Sequence, residues 1–306
     1  AFEDTNLRGQ GETLSGQLIA AYIQRAQLNW ERPWLAGVSG LSLALDAGWE
    51  QGPFVFRPFD YQQWHLLATL KKDLGRGFYL EFGGGFESFE QQDPYAWPVE
   101  GSARTFDAET RDAWQVRALG GLDTRDSPYY PTGGMFHTLE WLYRDIGDVG
   151  QNGFTADLRL FQQVLGTPIV ALRAFGRTMD EAGAVEYLMR WGGPETVRGA
   201  PYAGREGDTA YLLTAEVRYP LALMRVSQAG EAVGIGVHGF VDVGDAWIEG
   251  ERDFVDGRSR DGSPNTAWQS FGAGLHLNLL TWQLRFEAAK ERDHDWTFQF
   301  MDVFNF

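Results

Sequence analysis

The chain closes with TWQLRFEAAKERDHDWTFQFMDVFNF, Thr281–Phe306. Trp282, Leu284, Phe286 and Ala288 alternate there with Gln283, Arg285, Glu287 and Ala289. Beyond a polar break, Trp296, Phe298, Phe300, Phe304 and Phe306 alternate with Thr297, Gln299, Met301, Val303 and Asn305. A helix gathers residues three and four apart; strict alternation instead places the two sets on opposite faces of a strand. One face is apolar and rich in aromatic rings, and the other is largely polar.

The same period recurs upstream. Ile235, Val237, Val241 and Val243 alternate with His238, Phe240 and Asp242, and Phe154, Ala156, Leu158 and Leu160 with Thr155, Asp157, Arg159 and Phe161. The pattern predicts fourteen strands, near 12–23, 25–31, 37–48, 62–73, 77–88, 112–122, 135–145, 153–163, 168–177, 209–219, 234–247, 268–279, 281–291 and 295–306. The only competing helical stretch is a short one at Ala222–Ala229. Tight connections at Asp73–Gly77, Leu165–Pro168 and Leu280–Thr281 alternate with long polar ones at Ser88–Arg111, Thr178–Asp208 and Ile248–Ala267. Short turns at one rim, long loops at the other and an aromatic-flanked apolar face mark a transmembrane antiparallel up-and-down β-barrel of the bacterial outer membrane. The expected organisation is therefore all-β, a single barrel domain over 1–306 with a lumen-inserted loop at about 178–208. Outer-membrane lipids are its implied surroundings.

Composition narrows the function. A net charge of −16 disfavours nucleic acid, which needs a basic face. There is no cysteine, so disulfides, thiolate metal sites and a Cys nucleophile are excluded. The aromatic content is 14%, with 12 Trp and 21 Phe, as expected where rings line a membrane interface. No apolar run is long enough for a spanning helix. The histidines His65, His137, His238, His276 and His294 show no helical pairing that would suggest a metal site; His137, His238 and His276 fall on the polar face as wall residues. No G-x-S-x-G occurs. An enzyme is not expected, nor a cofactor or metal. Tyr95 and Trp97 offer the acidic 88–111 loop a weak ligand surface if exposed.

The segment GGPETVRGAPYAG, Gly192–Gly204, carries a lone Arg198 between Val197 and Gly199. If the loop enters the lumen, this guanidinium needs carboxylates. Glu216 and Asp242 lie on the inward phase of their strands, and Gly199 and Gly244 permit close approach. A clamp of Arg198 on Asp242 and Glu216 follows, because a planar fork can donate to both.

VRGA resembles the Val-Arg-Gly-aromatic motif of the BamA/TamA surface-antigen superfamily. TAEVRYPL, FVDVGDAW, LDTRDSPYYPTGG and DTNLRGQGETL resemble its neighbouring signatures, in the right order and over nearly the whole chain. The resemblance implies a barrel that inserts or exports polypeptides, with client polypeptides as partners and upstream POTRA or other periplasmic domains. It also implies an Arg loop that meets an inner acidic cluster, here Arg198 with Glu216 and Asp242, and a lateral seam at the C-terminal strand bearing Phe298, Phe300, Phe304 and Phe306. Ala200 departs from the aromatic that the family carries, which weakens the expected packing of the loop tip. Sixteen strands are implied against fourteen read; DTNLRGQG resembles the turn after the second family strand, leaving Ala1–Thr5 as its remnant. The alternative is a passive pore, or a membrane anchor for a separate upstream domain.

Overall fold

The computed structural model describes residues 2–303 apart from 8, 10, 55–56, 100–101, 148, 181–184, 228–230, 249–251, 254–257 and 260–266. Fifteen strands hydrogen-bond in chain order as one antiparallel sheet: β1 (Phe2–Leu7), β2 (Glu12–Ala20), β3 (Gln24–Arg32), β4 (Leu41–Pro53), β5 (Asp60–Gly75), β6 (Phe78–Gln91), β7 (Glu109–Asp123), β8 (Gly133–Ile146), β9 (Val149–Gln163), β10 (Ile169–Met179), β11 (Thr209–Arg225), β12 (Ala232–Trp247), β13 (Trp268–Leu280), β14 (Trp282–Glu291) and β15 (Trp296–Val303). Among the described residues there is no α-helix, only two single 3-10 turns.

The chain divides into two compact units, Ala1–Gly120 with Glu140–Asn152, and Gly121–Leu139 with Gly153–Phe306. In the first, β4 and β5 pair residue for residue from Leu41↔Lys72 to Pro53↔Asp60. An aromatic stack sits at one end: Phe54 lies flat on Phe59, Tyr61 on Phe89, and Tyr95 leans on Phe59 at 4.8 Å. Tyr95 is therefore buried rather than offered to a ligand. It begins the hairpin Tyr95–Val99/Ser102–Phe106, a fold within a connection that composition alone marks as loop. In the second unit, β11 and β12 run side by side from Thr209↔Trp247 to Arg225↔Ala232.

Two sequence expectations are corrected. The strand count in the sheet is fifteen rather than fourteen, because Phe2–Leu7 pairs with Glu12–Gly16 of β2. Its sequence FEDTNL is polar and lacks the alternation that flags the others, so pairing with a neighbour, not pattern, makes it a strand. That pairing also occupies the β2 edge over Glu12–Gly16. The helix expected at Ala222–Ala229 is not formed over its described part: β11 runs on through Arg225, with a register shift between Pro220 and Ala222, and residues 228–229 lie outside the described residues. The bulge breaks the alternation and leaves an apolar run that mimics a helical face.

Facing follows the alternation. Val217 is 51% exposed while its neighbour Glu216 is 1% exposed. Leu139, Leu275 and Phe300 are likewise exposed, and Trp141 and Leu284 partly so. His276 and Arg285 are buried, and Glu140 and Gln299 turn to the same polar face, bonded to Arg117 and Glu287 respectively. Phe298 is exposed with Phe300; Phe304 and Phe306 lie outside the described residues. So much contiguous exposed hydrocarbon has no place in water and suits a bilayer. Replacing an outward residue near mid-strand with a cation tests this. Leu275→Arg is expected to cost about 2–4 kcal/mol in vesicles, read from the guanidinium unfolding midpoint; a change within error would contradict the facing.

Candidate functional site: a clamped loop on the polar face

The site lies wholly in the second unit. The segment between β10 and β11 folds back as a short hairpin, Met189–Trp191 against Arg205–Gly207. Its tip is tied by local bonds: Thr196 Oγ1 accepts from Gly192 N at 2.8 Å, and Val197 O accepts from Gly193 N and Ala200 N. These turns aim Val197 and Arg198 at the sheet. Val197 is fully buried in a small apolar core with Trp191, Ala200, Ala210, Leu212, Ala246 and Trp268. Ala200 thus packs at the loop tip, where its small side chain had been expected to loosen the contact.

Two glycines set the approach. Gly199 has φ +85°, and a Cβ there would lie 2.9 Å from the Glu291 backbone nitrogen and 3.1 Å from the Ala289 carbonyl carbon. The loop therefore rests on the main chain of β14. Gly244 is the matching recess on β12, where a Cβ would meet Val197 Cγ2 at 2.9 Å.

Arg198 is 3% exposed and fully engaged. Nε and Nη2 donate to the two oxygens of Asp242, each at 2.8 Å, in a bidentate fork. The backbone N–H of Arg198 adds a third bond to Asp242 at 3.2 Å. Nη1 donates to Glu216 Oε2 at 2.8 Å and to Glu287 Oε1 at 3.4 Å. The guanidinium plane lies 3.4 Å from the Phe240 ring centroid, so the ring face supplies what no oxygen does. Sequence reasoning named Arg198, Glu216 and Asp242. Phase had also placed Arg285, Glu287, His238 and Phe240 on the polar side, without naming them as partners.

The carboxylates have further cations. Arg218 Nε and Arg285 Nη2 both donate to Glu216 Oε1, at 2.7 and 2.6 Å. Three guanidiniums, Arg198, Arg218 and Arg285, thus face three carboxylates, Glu216, Asp242 and Glu287, and the charges balance. Glu216, His238 and Glu287 bring one potential ligand atom each within 4.8 Å. Their oxygens already accept from guanidiniums, which would also repel an added cation, so the geometry is that of an ion-pair cluster.

A hydrogen-bonded chain leaves this cluster. His238 Nε2 is 2.7 Å from Glu287 Oε1, His238 Nδ1 is 3.2 Å from His276 Nδ1, and the Tyr130 hydroxyl is 3.1 Å from His276 Nε2. Tyr130 belongs to LDTRDSPYYPTGG, and its burial ties that turn to the sheet wall. In the same turn, burial pushes the Asp126 carboxyl up. Hydrogen bonds from the Thr132 hydroxyl, Arg225 and the backbone of Thr132 and Gly133 outweigh it and hold the group below the usual carboxylate range. His137 stays apart, its Nδ1 on the Phe136 carbonyl.

A family model, the Omp85 superfamily domain, matches residues 6–306. The chain belongs to the Omp85 superfamily. Among solved structures this Omp85 chain resembles BamA from Haemophilus ducreyi lacking POTRA domains 1–3, with 13% identity and a TM-score of 0.71, covering 98% of this chain and 65% of that one. It also resembles CdiB from Acinetobacter baumannii (13%, TM-score 0.61, 98% and 55%) and CdiB from Escherichia coli (12%, TM-score 0.56, 98% and 57%). It spans 55% to 65% of the length of these structures. No curated protein sequence matches it. The Omp85 fold is the outer-membrane antiparallel β-barrel predicted from the alternation.

Two substitutions probe the clamp. Arg198→Ala leaves three buried carboxylates facing two guanidiniums and is expected to destabilise the loop by on the order of 3–5 kcal/mol. Residues 178–208 should then become protease-sensitive in the folded protein; an unchanged cleavage pattern would count against the clamp. Gly199→Val keeps every charge but drives a Cβ into the β14 backbone, and should expose the same segment. If only the charge variant opened the loop, close backbone approach would not be what seats it.

Proposed function

We propose that this Omp85 barrel assists the membrane insertion or export of polypeptides, without covalent chemistry. The observation that carries this is the Arg198 cluster. Residues of the 178–208 connection are fixed by one guanidinium to carboxylates of β11, β12 and β14, a costly arrangement for a segment with no positional role. In this reading the loop occupies the lumen and braces the wall beside β15. The unpaired edge of a terminal strand, bearing Phe298 and Phe300, templates client strands by backbone pairing. Unfolded outer-membrane or secreted polypeptides are the clients, and POTRA or other periplasmic domains the delivering partners.

The test is a reconstitution. The purified protein in phospholipid vesicles is given a urea-unfolded outer-membrane protein, and folding is followed by heat-modifiable migration. Severalfold acceleration over empty vesicles is expected, reduced to near the vesicle rate by Arg198→Ala. No acceleration by an intact barrel that still conducts ions would favour the passive pore.

A further inference from the structure

Lys71 and Lys72 are adjacent in β5 and point to opposite faces. The Lys71 ammonium is 3.4 Å from Glu81 and sits 4.3 Å from the Tyr79 ring centroid, on the polar side. Lys72 shares its phase with Trp64, Leu66, Leu70 and Leu74, all exposed on the membrane face. Its cross-strand neighbours are Leu41 on β4 and Leu80 on β6. A cation on this face has no carboxylate in salt-bridge reach among the described residues; its one bond is to the Ser39 carbonyl, at 2.6 Å. An ammonium carries three donors, so two remain.

Next to it is a groove of about 380 Å³ lined by Leu41, Leu70, Leu80, Glu81, Phe82, Ala118, Leu119 and Gly120, with Lys72 among its walls; the Glu81 carboxylate is held by Lys71 and Arg117 on the polar side of the sheet. The recess exists because β7 offers small residues here. A Cβ on Gly120 would touch only Leu80, at 3.7 Å, so the space beside it is open. With the Glu81 carboxylate paired on the other face, the groove is mainly apolar and its one charge without a carboxylate partner is the Lys72 ammonium.

The height of that place is set by the chain. In the first unit, the strand ends near Lys72 are joined by 8–11, 33–40 and 76–77, and the opposite ends by 21–23, 54–59 and 92–108, so the tightest connection lies beside Lys72 and the longest at the far end. Short connections mark the periplasmic side of such barrels. Trp34, on the 33–40 connection, is 59% exposed, as a ring at headgroup level would be. Lys72 therefore lies where the phosphates of the inner leaflet run, and that leaflet is made of phospholipid. A lysine can extend along apolar surface to reach this level, and an anionic headgroup there is attracted to it.

We propose that the outer face of β5–β7 holds one anionic phospholipid, its phosphate on the Lys72 ammonium and an acyl chain in the groove beside Leu70, Leu80, Phe82 and Gly120. The two free donors of Lys72 suit phosphate oxygens, and charge complementarity selects an anionic over a zwitterionic headgroup of the same chain length.

Native mass spectrometry of the detergent-purified protein tests this, with dioleoyl phosphatidylglycerol and dioleoyl phosphatidylcholine supplied in equal amounts. The wild-type protein should retain one phosphatidylglycerol in preference to phosphatidylcholine. Lys72→Leu and Lys72→Gln should each abolish the preference. Lys71→Leu removes the same charge from the other face and should leave it intact. Gly120→Leu fills the groove and should reduce retention of the bound lipid with Lys72 still present. Heat-modifiable migration confirms that each variant is folded. Equal retention of both lipids by the wild type, a preference that survives in the Lys72 variants, or an equal loss in Lys71→Leu would each overturn the proposal.

Discussion

Hydrocarbon offers no partner to a peptide N–H or C=O, so a chain crossing it as strands must satisfy its backbone by pairing each strand with a neighbour. The meander of β1 to β15 in chain order is the simplest way to meet this demand. Everything else follows from the two faces such a sheet presents. One must be apolar because lipid touches it. The other is free to be polar, and in this chain it collects the charges that the first cannot hold.

That second face is where burial becomes expensive. Replacing a buried ion cluster with well-packed apolar groups is often neutral or stabilising, so such clusters are poor evidence of a stability device. What the Arg198 cluster supplies is position. A bidentate fork on Asp242 has one workable orientation, and the bonds to Glu216 and Glu287 fix it against two further strands. An apolar loop tip would slide; this one has a register. The small core around Val197 and Trp268 then excludes water from beside the charges and strengthens them.

Much of this was legible in the sequence, and the physical reason is periodicity. Alternation tells which face a residue takes, so Glu216 and Asp242 could be paired with Arg198 before any coordinates. Alternation does not tell height along the strand or distance across the sheet, and so Glu287 on β14 was placed on the polar face without being recognised as a member of the cluster, and Arg218, two residues beyond Glu216 on β11, went unnamed. Turn composition identified LDTRDSPYYPTGG as a turn but could not reveal that Tyr130 folds inward to meet His276. The missed strand Phe2–Leu7 and the supposed helix at Ala222–Ala229 fail for the same cause: near strand ends the facing requirement relaxes, and the pattern with it.

The link from Tyr130 to Glu287 has a polarity of its own. With both imidazoles neutral, each ring carries one N–H and one acceptor nitrogen. Glu287 is acceptor-only, so His238 must direct its Nε2–H there, leaving Nδ1 to accept. His276 must then direct its Nδ1–H to His238, leaving Nε2 to accept from the Tyr130 hydroxyl. Only one tautomer of each ring satisfies every contact. Four groups drawn from a turn and three strands therefore form a head-to-tail row of dipoles, every proton pointing toward the carboxylate, and the orientation of a hydroxyl in a connecting turn is dictated from β14.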